Sequence, residues 1–145
     1  RQMCIRDSMY SDTYRQPDFE KAAEVYRKAR ELGAPALTAR KEFYALARVP
    51  SKSREALKLG KELFKDPRNR VPSLVTNIFV LENRLHVPEK DRIPFRELYP
   101  TDEIARDMMT AHLANSLRYP VDGLRETLES LPEANPDDPA PDGKD

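Results

Sequence analysis

The feature that most constrains this chain is its similarity to itself at a shift of 34 residues. "FEKAAEVYRKAREL" (19–32) then falls on "SREALKLGKELFKD" (53–66), with Ala22 on Ala56, Ala23 on Leu57, Val25 on Leu59 and Ala29 on Leu63. Apolar positions persist while several charged positions change sign. A unit that repeats its buried face and lets its solvated face drift behaves this way. A further 68 residues puts Leu124 in phase with Ala56 and Leu131 with Leu63, although the position between, Lys90, fits nothing.

Prolines divide the chain into helical stretches. In "PDFEKAAEVYRKARELGAP", Asp18 supplies an N-cap, Glu20 an acidic first turn, Gly33 a left-handed stop and Pro35 a break beyond it. Phe19, Ala22, Tyr26, Ala29 and Leu32 make its apolar stripe. Further helices are expected from Ala36 to Val49, broken by "VPSKS", and from Arg54 to Phe64, ended by Asp66-Pro67. "SLVTNIFVLENRLHVP" predicts an amphipathic helix with Leu74, Ile78, Leu81 and Leu85 on one stripe and Val75 and Phe79 beside it. Pro88, Pro94 and Pro100 then allow no helix longer than about two turns. Thr101-Asp102 caps a helix to about Leu117, with Ile104, Ala105, Met108, Met109, Leu113 and Leu117 inward. Asp122 caps a last one with Leu124, Leu128 and Leu131 inward, ended by Pro132.

A helix-turn-helix period of 34 residues is that of the tetratricopeptide repeat (TPR), and residues 17–35 resemble the second helix of that family. Phe19, Ala22, Tyr26, Ala29 and Pro35 match its pattern, and "MYSDTY" before them resembles the end of a first helix, with Tyr14 in its aromatic place. The second repeat departs at Ser53 and Gly60, where aromatics are usual, and resemblance fades beyond Pro67. The resemblance implies an all-α fold over residues 9–131, a right-handed α-solenoid of antiparallel helix pairs with its last units degenerate. "RQMCIRDS" resembles a translated sequencing adapter, so residues 1–8 are expected to be foreign and the first helix truncated. Residues 132–145, "PEANPDDPAPDGKD", hold four prolines and five acidic residues, and are expected to form a disordered tail.

Composition bears on function mainly through charge. Residues 40–70 carry 10 basic and 4 acidic groups, and residues 71–145 carry 8 and 15, within a chain of net charge zero. Nucleic-acid binders concentrate more positive charge and interleave it with aromatics, so no nucleic-acid partner is expected. The longest apolar run, Phe43 to Ala47, is far short of the roughly 20 residues of a membrane span. Cys4 is the lone cysteine, so no disulfide or cysteine-ligated metal is expected. His86 and His112 lie without ligand spacing, and His112 beside an apolar stripe reads as a hydrogen-bonded structural histidine. Phosphate-cradling glycine loops and nucleophile elbows are missing from the sequence, and carboxylates on charged helices are expected at the surface. No catalytic residue, cofactor or metal is predicted.

If helix pairs stack, their first helices line a concave face that takes extended peptides or helices. The groove candidates are Arg40, Lys41, Tyr44 and Arg48, then Asn77 and Arg84, whose guanidinium, ammonium and amide groups suit carboxylates and peptide backbone. The lysines, arginines and asparagines with which chaperone-tail-binding TPR proteins clamp two carboxylates do not align here. Arg54, Lys58, Lys61 and Lys65 form a basic stripe on a second helix, expected to be convex and solvated. The expected function is therefore a non-catalytic scaffold for a protein or peptide partner. A helical appendage of a larger enzyme or membrane-associated assembly, such as a glycosyltransferase or surface-polysaccharide polymerase, is the alternative. A truncated first repeat would expose apolar surface near Ala22 and Tyr26 and favour self-association. Compartment is left open, cytoplasm and periplasm alike.

Overall fold

Helix α1 (Phe19–Glu31) starts where its capping pattern predicts: the Asp18 carboxylate accepts the Lys21 N–H at 2.9 Å, and Gly33 leaves the helix at φ +93°. The computed structural model describes residues 18–116 and 119–133. The expectations for residues 1–8, Tyr14, Leu117 and the tail past Glu133 lie outside the described residues.

After α1 come α2 (Ala36–Ala47), α3 (Ser53–Phe64), α4 (Pro72–Arg84), α5 (Phe95–Leu98), α6 (Asp102–Ala114) and α7 (Leu124–Ser130), with single 3₁₀ turns at Pro50–Lys52, Pro67–Asn69 and Glu89–Asp91. The fold is all-α, with no strand among the described residues. Consecutive helices pack on one another from α1 to α4, α6 packs on α4 and α7 on α6, and α2 also touches α4. The two-turn limit set by Pro88, Pro94 and Pro100 holds, since α5 is one turn. Thr101 caps α6 by accepting the Ile104 N–H at 3.1 Å. No described helix is long and apolar enough to cross a membrane.

Several expectations shift once neighbours are in place. In α1 the deepest residue is Ala23, not Ala22, which is half-buried; Leu32 is 88% exposed because it is the C-cap, where the chain turns away. Among the described residues the large exposed apolar side chains are Val25, beside the half-buried Tyr26, and Leu32 and Leu37. Helix α4 has no solvated face over Leu74–Glu82, all nine residues being buried, because α2, α3, α5 and α6 surround it. α6 ends at Ala114, short of Leu117, with Asn115 as its C-cap. The N-cap of α7 is Gly123, at φ +79°, rather than Asp122, whose carboxylate is drawn instead to Arg84.

The core joins Phe43, Leu46, Ala56, Phe64, Leu74, Ile78, Leu81 and Met109. Gly60, one of two departures in the second repeat, has a packing cause: a Cβ there would stand 2.5 Å from Cε1 of the fully buried Phe43 ring. The aromatic missing at position 60 of α3 is supplied across the interface by Phe43 of α2. A second cluster sets Phe79, Phe95 and Tyr99 edge to face or tilted, with centroids 5.2–6.0 Å apart, and the buried Tyr99 hydroxyl hydrogen-bonded to Thr76 Oγ1 at 2.9 Å.

Candidate functional site

Helices α2 and α4 lie side by side, and polar side chains link them. One Arg40 guanidinium nitrogen donates to Asn69 Oδ1 and to the Arg68 carbonyl, both at 3.3 Å, and one turn on, Tyr44 Oη and Ser73 Oγ are 2.7 Å apart. Desolvation raises the Tyr44 phenol above its ordinary pKa, so it stays protonated and neutral. Another turn along α2 stands Arg48, its C-cap. Its guanidinium carbon lies 4.7 Å from the Phe19 ring centroid and 4.4 Å from that of Tyr119, while Arg48 Nε is buried without a hydrogen-bond partner. A buried unpaired donor costs about 1–3 kcal/mol, offset here by two cation–π contacts worth about 0.5–2 kcal/mol each.

Residues 119–123, "YPVDG", run beside α4 as irregular chain, and every one is half-buried. The Tyr119 ring lies 5.3 Å from that of His112, and His112 Nε2 donates to the Pro120 carbonyl at 2.9 Å. Val121 packs on the core. The Asp122 carboxylate pairs with Arg84 at 3.0 Å, and its carbonyl accepts from Asn83 Nδ2 at 2.8 Å. At Gly123 a Cβ would collide with that same Asn83 amide, so only glycine passes. Beside Tyr119 a cavity of about 140 Å³ opens between the first turn of α4 and the end of α6, lined by Ser73, Met108, His112 and Asn115.

The six groove candidates thus divide. Arg48 stacks on Tyr119 and Arg84 pairs with Asp122 three residues on, while Tyr44 bonds Ser73 in the first turn of α4. Arg40 is spent on the α3–α4 connection, and Lys41 is exposed. Asn77 is fully buried, its Nδ2 donating to the Ser73 carbonyl at 2.9 Å, because α4 is enclosed on every side; it presents nothing to solvent. His112 is the hydrogen-bonded structural histidine its sequence position predicts, and burial holds it below its ordinary pKa. In the basic stripe Arg54, Lys58 and Lys65 are exposed. Lys61 is not merely solvated: its Nζ lies 3.4 Å from the buried Glu82 carboxylate and 3.0 Å from the Asp91 carbonyl.

Two carboxylates expected at the surface are interior. Glu42 is 3% exposed and accepts from Arg30 at 2.6 and 3.2 Å, and Glu82 is 1% exposed and accepts the Ile93 N–H at 3.0 Å. Glu42 and Leu46 floor a trough between α1 and α3, walled by Arg27 and Glu55, with a cavity of about 380 Å³ at one end and about 320 Å³ at the other. Its charges are mixed, with Arg27 paired to Glu24 and Glu31, Arg30 to Glu42, and Lys52 to Glu20 and Glu55. Among the described residues no group of three His, Cys, Asp or Glu gathers as a metal site. No family model matches this chain, and no curated protein or solved structure matches it.

Proposed function

We propose that this chain is a TPR-like scaffold: a right-handed stack of antiparallel helix pairs, degenerate at its end, that binds a peptide where the ends of α2 and α4, at Arg48 and at Asn83–Arg84, meet residues 119–123, beyond the buried span of α4. The 34-residue period and the order of packed helices support the repeat reading. On it α2 and α4 are first helices, and α1 and α3 are second helices flanking the trough on the opposite side. The single observation that carries the functional reading is the handling of residues 119–123: this face already holds an irregular, half-buried stretch of chain through a guanidinium–aromatic stack, an ion pair and an amide–carbonyl bond. Those are the contacts by which helix-lined grooves hold peptides.

The test is selection of peptides from a displayed random library against the folded chain, followed by titration of the enriched sequences. Binding through this face predicts at least tenfold weaker affinity for Arg48→Ala and for Arg84→Ala, with Lys41→Ala unchanged. Enriched peptides that bind both arginine variants as tightly as the parent chain would place recognition elsewhere and overturn the reading.

A further inference from the structure

If this face is a peptide site, its present occupant describes its ligand. Building on that reading, we propose that residues 119–123 are an internal stand-in, and that the external ligand is a peptide with an aromatic ring three positions ahead of a carboxylate, which binds by displacing them.

Each half of that pattern has its own receptor. The ring position is set by Arg48, whose guanidinium is already stacked on Phe19 from α1 and takes Tyr119 at 4.4 Å, with His112 at the ring's side. The carboxylate position is set by Arg84, and the backbone between is read by His112 Nε2 and Asn83 Nδ2, both donating to main-chain carbonyls. Main-chain contacts of this kind accept any sequence, so specificity falls on the ring and the acid. The stretch closes in a turn at Asp122–Gly123, where the Leu124 N–H donates to the Val121 carbonyl at 3.0 Å, and it meets receptors on three helices, Arg48 at the end of α2, Arg84 on α4 and His112 on α6.

The internal segment is a replaceable occupant, not an ideal one. It leaves Arg48 Nε buried without a hydrogen-bond partner, and a cavity of about 140 Å³ borders the Tyr119 ring. A peptide with a larger ring and a carbonyl near Arg48 Nε satisfies both. What favours the segment is tethering, which presents it at an effective concentration on the order of millimolar. Apparent affinity for an external peptide is reduced by the fraction of molecules whose groove is open.

The experiment uses the full chain and an acetylated, fluorescein-labelled Tyr-Pro-Val-Asp-Gly peptide, followed by anisotropy. Loosening the stand-in with Tyr119→Ala/Asp122→Ala is expected to tighten peptide binding at least fivefold over the parent chain, and adding Arg84→Ala to that variant to abolish the gain. Circular dichroism checks the fold; should the double variant unfold, Asp122→Asn, which removes only the charge, carries the same fivefold criterion. A smaller gain, or no binding of this peptide to any variant, overturns the inference. In that event library peptides of unrelated sequence that still need Arg48 and Arg84 would leave the scaffold reading standing; if the loosened variant takes no peptide at all, both fall.

Discussion

Gly60 and Phe43 show how one missing side chain can be a packing requirement. Gly60→Ala adds a methyl 2.5 Å from the Phe43 ring and 3.1 Å from Ile78 Cγ1, in a region with no exposed edge to yield. Overpacking costs about 1–3 kcal/mol against a helix-propensity gain of up to about 1 kcal/mol, so urea unfolding should show a net loss of about 1–2 kcal/mol. A neutral or stabilised variant would mean the ring has room to move. Glu82 is the other residue whose role is tertiary. Lys61→Met leaves its interior carboxylate with the Ile93 N–H and no charge partner, and should destabilise by about 1–3 kcal/mol, the modest range reflecting that Lys61 is partly solvated. Neither role is legible in the sequence. Helical periodicity assigns glutamates and lysines to the wet side by composition, and only the packing of a third helix or a loop tells which of them is covered.

At the scale of elements, starts and stops were the most readable features, because they are local. Asp18 and Thr101 accept N–H groups three residues on, and Gly33 turns the chain at once; these are written within four residues of sequence. Thr101→Ala should accordingly cost about 1 kcal/mol, seen as a lower thermal midpoint, with α6 fraying first in hydrogen exchange. The start of α7 departs from its capping pattern because Asp122, a good cap by type, is claimed by Arg84, 38 residues away. Helix α4 departs from a one-sided stripe for the same reason: the stripe is real, but how many sides are covered depends on how many partners arrive. The candidate site was half legible. Arg48 and Arg84 stand on helices that the 34-residue period marks out, whereas Tyr119 and Asp122 belong to a connection whose sequence carries no periodic signal. Gly123→Ala tests that connection. It must relieve both a positive φ and a collision with Asn83, and should lower stability by about 1–2 kcal/mol while loosening the Asp122–Arg84 pair.

For the molecule as a whole, one buried ring contributes acid sensitivity. Desolvation holds His112 below its ordinary value of 6.5, the Pro120 carbonyl only partly opposing it. The unfolded chain therefore takes up this proton first: the group's contribution to stability is complete above about pH 6.5 and declines as pH falls toward the lower folded value. Thermal midpoints at pH 7.5 and 5.5 should differ more for the parent chain than for His112→Gln; equal differences would remove His112 as the cause. In a simple row of helices, each touching only the next, the two extremities melt without notice of one another. Arg48 alters that arithmetic by sharing its charge between Phe19 and Tyr119, rings that stand at the start and near the close of the described chain. The row becomes a circuit: whatever lifts Tyr119 also strips half the shielding from the cation under Phe19, so a disturbance at one extremity is felt a hundred residues away without travelling through the helices between.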